Sequence, residues 1–133
     1  MIGLVLVTHG DLAKAFVSSM EYIAGMQAHI EPICIHPGDD MDQQRQNILN
    51  AIESVDQGKG VILLTDLFGG TPTNLAISVL GLDRVEVIAG VNLPMLIKII
   101  SIRSSVTLAD AVDQAQEAGR NHIRVASNFL QAR

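Results

Sequence analysis

Residues 60–81, "GVILLTDLFGGTPTNLAISVLG", pass from an apolar run through a glycine turn into a helical pattern within a single span. The run at 60–66 is short and rich in Leu, Ile and Val, which favours a strand over a helix. Gly69 and Gly70 then interrupt it, with Thr71 placed as an N-cap and Pro72 as the first helical residue. A strand followed directly by a helix is half of a βαβ unit, so the question becomes whether the rest of the chain repeats it.

It does. Residues 2–8, "IEPICI" at 30–35 and "RVEVIAG" at 84–90 are three more short branched runs. Between the first two, "DLAKAFVSSMEYIAGM" carries Leu12, Phe16, Met20 and Ile23 at helical spacing, predicting a helix from near Asp11 to around Gly25. Between the second and third, Met41, Ile48, Leu49, Ile52 and Val55 share one face, with acids in the first turn and Gly58 at the end. "NLPMLIKIISIR" opens a helix after the fourth run, and "TLADAVDQAQEAG" from Thr107 another. Alternation of this kind predicts an α/β fold, with a mainly parallel sheet flanked by helices and right-handed crossovers. The tail "NHIRVASNFLQ" fits a strand or a helix, because Ile123, Val125 and Phe129 suit both periods.

Composition agrees with one domain over residues 1–133. Apolar residues make up 48% of the chain and Trp is absent, so the core is aliphatic, as buried parallel sheets are. There is no repeat, linker or low-complexity stretch. A formal net charge of −5 argues against a nucleic-acid partner, for which a basic face is expected. Cys34 is the single cysteine, which excludes an internal disulfide and suits a reducing cytosol. The apolar start "MIGLVLV" lacks a basic leader and meets Thr8, His9 and Gly10 too soon for a signal peptide. The apolar stretch 85–102 is broken by Glu86, Asn92, Pro94 and Lys98, so it does not read as a membrane span.

In an open parallel sheet, ligands bind at the rim where strands exit into helices, near the point at which strand order reverses. The exits here are His9–Gly10, His36–Pro37, Asp66 to Thr71, and Gly90 to Asn92. In the strand order 2-1-3-4 the first and third exits are neighbours, which brings His9 to the "TDLFGGTPTN" stretch. An imidazole titrates near neutrality and so offers a neutral nucleophile. The Asp66 carboxylate accepts one ring N–H and leaves the other nitrogen free. Gly69 and Gly70 permit close backbone approach, and the helix starting at Thr71 presents unpaired amides and its positive dipole end. Nucleophile, orienting acid and anion cradle together describe phosphoryl transfer to histidine.

Taken singly, each feature has a plainer reading: a satisfied polar His9, a loop or capping Asp66, a turn and cap at "GGTP". "THG" also lacks the arginine of the "RHG" of histidine-type phosphatases. The turns carry neither dinucleotide nor P-loop fingerprints, which disfavours a nucleotide site. His29 precedes a strand and belongs to the opposite rim. His36 exits on the favoured rim beside Asp39 and Asp40, but no paired ligand motif supports a metal there. Cys34 reads as core and His122 as exposed or interfacial.

"VTHG", "LLTDLFGGTPTN", "EVIAGVNLPML" and the tail "EAGRNHIRVA", at these spacings, resemble the enzyme IIA domain of the mannose-family phosphoenolpyruvate-dependent sugar phosphotransferase system. The likeness spans essentially the whole chain. It implies a cytoplasmic phosphocarrier, needing no cofactor and no metal, that accepts a phosphoryl group from the phosphocarrier protein HPr and passes it to a IIB component. His9 matches the phosphorylated histidine, at Nε2; Asp66 matches the carboxylate that holds Nδ1; Thr71, with Gly69 and Gly70 beside it, matches the phosphoryl-binding turn. The resemblance also implies a homodimer that exchanges a C-terminal strand, placed at residues 121–126. Some relatives continue into a IIB domain, and this chain shows none, which implies a separate IIB acceptor and, indirectly, a membrane permease. The alternative is a regulatory phosphoprotein whose charge state a partner reads. Leu67 and Phe68 stand as docking surface or core, and the sugar is not legible.

Overall fold

The computed structural model describes residues 1–131. Four parallel strands, β1 (Gly3–His9), β2 (Ile30–Ile35), β3 (Val61–Thr65) and β4 (Val85–Ala89), form one sheet in the order β2-β1-β3-β4. The helices α1 (Leu12–Ala24), α2 (Met41–Val55), α3 (Gly70–Ile77), α4 (Leu93–Ile102), α5 (Leu108–Asn121) and α6 (Ala126–Gln131) complete the chain. The expected α/β class and strand order are therefore both present.

Strand alternation divides the core between two faces. Leu4 and Leu6 of β1 and Ile62 and Leu64 of β3 pack with Met20 of α1, Leu96 and Ile99 of α4, and Ala111 and Ala115 of α5. Val5, Val7, Val61 and Leu63 face the other way, onto Ile48, Ile52 and Val55 of α2 and Ala76 of α3. Each fully buried Leu or Ile contributes about 1.5–3 kcal/mol by leaving water. The central strands carry apolar side chains on both faces, which is why their runs show no polar alternation. The chain leaves β1 toward β2 on one side and returns past it to β3 on the other. The reversal point lies between β1 and β3, paired in register from Gly3↔Val61 to Val7↔Thr65.

Local signals set most boundaries. Asp40 accepts from the amides of Asp42 and Gln43 to start α2, Asn92 from Met95 to start α4, and Thr107 from Asp110 to start α5. Two expectations need correction. α2 stops at Val55, before Gly58, with Asp56 as its C-cap. α3 begins two residues early, with Gly69 rather than Thr71 as its N-cap, because Gly69 and Gly70 take φ of +88° and +82°, which glycine alone adopts without strain. In the tail, open by sequence between strand and helix, residues 123–125 lie outside regular structure and 126–131 form α6.

Candidate active site

β1 ends at His9 and β3 runs into Asp66, on adjacent strands, so sheet pairing itself delivers the two side chains to one place. Nδ1 of His9 lies 2.8 Å from Oδ2 of Asp66, and the backbone N–H of His9 donates to the same oxygen at 3.0 Å. The imidazole is 49% exposed and the carboxylate 9%. Partial burial pushes the Asp66 carboxyl up, but the His9 amide, its ring and its charge outweigh burial, and the net direction is down. Asp66 is thus an anion at neutral pH, Nδ1 carries the proton and donates it, and Nε2 is left with its lone pair.

The loop that carries Asp66 is tied from below. The Thr73 hydroxyl, buried in α3, sits 2.5 Å from the carbonyl oxygen of Leu67 and 2.8 Å from the Thr65 hydroxyl. Oδ1 of Asp66 accepts from the amide of Leu67. On the β1 side, the buried Thr8 hydroxyl accepts from the amide of Ala13 and fixes the entry to α1. Thr8 and Thr73 were not among the residues the sequence singled out. Each is one hydroxyl in an otherwise apolar or helical run, and its partner appears only when strand and helix are packed.

Gly70 lies under the imidazole: a Cβ there would stand 3.2 Å from both Cε1 and Nε2 of His9. Thr71, exposed in the first turn of α3, lines a pocket of about 420 Å³ together with His9, Gly10, His36 and Pro37. The first amides of α3 have no intrahelical acceptor. His9, Asp66, Gly69, Gly70 and Thr71 therefore do come together, as the strand order requires. Leu67 and Phe68 are exposed, Phe68 at 80%, so neither belongs to the core. His29 lies at the opposite rim, where its carbonyl accepts from Leu4 and Arg103. Cys34 is half-buried against the core, and His122 is exposed at the end of α5. Among the described residues no three His, Cys, Asp or Glu side chains converge as metal ligands would, and no helix is long and apolar enough to cross a membrane.

A free imidazole nitrogen, an anion behind the ring and amides with a hydroxyl in front form a place where an electrophile bearing anionic oxygens is attacked and held. Known proteins share this framework. Residues 3–116 match the family model EIIA-man, described as PTS system fructose IIA component. The chain is 29% identical over 132 residues to the PTS system fructose-specific EIIA component of Bacillus subtilis, covering 98% of this chain and 90% of that protein. It is 32% identical over 125 residues to the PTS system mannose-specific EIIAB component of Escherichia coli, covering 92% of this chain but only 39% of that longer protein. A crystal structure of phosphotransferase system component EIIA from Streptococcus agalactiae superposes with a TM-score of 0.87 at 28% identity, covering 96% of this chain and 99% of the other.

Proposed function

The chain belongs to the EIIA-man family of phosphotransferase-system IIA components, and on that premise we propose that it carries a phosphoryl group on Nε2 of His9, taken from phospho-HPr and given to a IIB component. The observation that carries this reading is the pair of bonds from His9 to one oxygen of Asp66, which leaves Nε2 as the free ring nitrogen.

The Nε2 lone pair attacks phosphorus, the donor's phosphorus–nitrogen bond breaks, and its electron pair returns to the donor imidazole. His9 keeps the Nδ1 proton and becomes a phosphoimidazolium, whose positive charge faces the Asp66 carboxylate. The three phosphoryl oxygens meet the Thr71 hydroxyl and the free amides around Gly70 and Thr71. Transfer to IIB reverses these moves, so positioning and charge stabilisation suffice and no cofactor is required. Exposed Leu67 and Phe68 beside the site supply apolar area for docking donor and acceptor in turn.

The same reading places the protein in the cytoplasm, working as a homodimer. Residues 121–126 would then cross to the free edge of a partner's sheet, a use consistent with the exposure of Ile123 and Val125. The test is onward transfer: the chain phosphorylated by phosphoenolpyruvate, enzyme I and HPr is isolated and mixed with a IIB protein. Movement of the acid-labile phosphate to IIB supports a transport component. Retention of phosphate, with a partner that binds only one phosphorylation state, would replace it by a regulatory phosphoprotein.

A further inference from the structure

The pocket in front of His9 has a second imidazole. His36 leaves β2 on the same rim, one residue after Ile35, which pairs with His9 in the sheet register. It lines the pocket together with His9 and Thr71, and its side chain is 48% exposed. Nε2 of His36 lies 3.1 Å from Oδ1 of Asp11. Asp11 stands at the N-cap of α1, where an aspartate ordinarily accepts from the helix amides, yet it makes no capping bond. Its carboxylate is turned to His36 instead, and the amide of Ala13 goes to Thr8. The backbone of His36 is fixed as well, since its N–H donates to Oδ2 of Asp39.

A phosphoryl group on His9 brings about two negative charges into a pocket whose His9 is already bonded to the Asp66 anion. No Lys or Arg lines that pocket, so among the described residues that line it His36 is the one other group able to carry positive charge. We infer that His36, oriented by Asp11, pairs with the phosphoryl oxygens of phosphorylated His9 and so sets how strongly this chain holds the group against its donor. The inference rests on phosphorylation at His9, and it adds a recognition residue to that site. The charged and titratable groups facing His36 are Asp11 at the entry to α1, Asp39 in its own loop, and His9 with Asp66 across the pocket.

The experiment measures the equilibrium share of phosphate between HPr and this chain, by intact mass, for wild type, His36→Gln, His36→Lys and Asp11→Asn at several pH values. Comparing variants at each pH cancels the donor's own titration. At about pH 6, where imidazoles are charged, His36→Gln shifts the share toward HPr by about threefold to tenfold. Near pH 8.5 that gap falls below about twofold. His36→Lys restores at least half of the wild-type share at both, and Asp11→Asn falls between wild type and His36→Gln. Two outcomes overturn the inference alone: a His36→Gln share equal to wild type at every pH, or a loss that is constant with pH and not restored by Lys. The second would mark a packing role, which thermal melting of the variant reveals independently. Failure of the folded wild type to take phosphate at all would overturn both this inference and the proposed function.

Discussion

At the amino rim of the sheet Arg103 is 2% exposed and its Nη1 and Nη2 donate to the carbonyls of His29 and Ala28 and to the side chain of Gln27. At the carboxyl rim the imidazole of His9 is half exposed, holds one partner on one nitrogen, and leaves the other free. Both are cation-forming side chains at ends of the same four strands, and their neighbours differ. Arg103 is enclosed by carbonyl oxygens that need its donors, so its charge is used up in closing the fold, and burial lowers its affinity for the proton. His9 meets a single carboxylate, with Gly70 under the ring, so the ring is held without being covered. On the proposed function, reactivity at His9 follows from unspent hydrogen-bonding capacity at a held position.

The sharpest way to break that contrast is to exchange stability for chemistry at each rim. Arg103→Met should cost about 3 kcal/mol, because the acceptors on Gln27, Ala28 and His29 lose charged donors. Urea unfolding reads the loss, and phosphate uptake per folded molecule should stay close to wild type. Asp66→Asn should do the reverse. The fold stays, but the ring loses the anion that fixes its tautomer and offsets the phosphoimidazolium charge. Stopped-flow transfer from phospho-HPr should slow by about a hundredfold, about 2.7 kcal/mol of barrier. An unchanged rate would remove Asp66 from the site.

Thr71→Val tests the front of the pocket and should slow transfer by about tenfold, one charge-assisted hydrogen bond at the low end of its usual range. A loss under about twofold would leave the amides as the phosphoryl cradle. The smallest effect concerns pH. Because the carboxyl of Asp66 is held below its ordinary value of 3.8 in the folded chain, the stability it adds is present above that value and is lost as pH falls through the depressed one. The difference in urea midpoint between wild type and Asp66→Asn should therefore stay level from about pH 8 to about pH 4 and close only in stronger acid. A gap that closes near neutrality would contradict this assignment to Asp66.

Much of this was legible in the residues alone. The βα alternation rests on run length and branching, and the exits of β1 and β3 become neighbours once the order is 2-1-3-4, so His9 and Asp66 meet. What escaped depended on contacts across the sheet. Thr71 resembles an N-cap by type and by its place before Pro72, yet two glycines in left-handed conformation start the helix earlier. Thr8 and Thr73 matter through partners that only packing supplies. His36 was weighed as a metal ligand beside Asp39 and Asp40, whereas its partner is Asp11, 25 positions away in sequence. The tail suits both periods because nothing local selects between strand and helix there. Within one chain helix prevails at 126–131.

The central claim is that His9 is the phosphoryl acceptor. It is tested most directly by intact mass and acid lability after incubation with phosphoenolpyruvate, enzyme I and HPr, with His9→Ala run in parallel. The wild type should gain one acid-labile phosphoryl group and the folded variant none. Equal labelling of both proteins, or none on a folded wild type beside phosphorylated HPr, would contradict it.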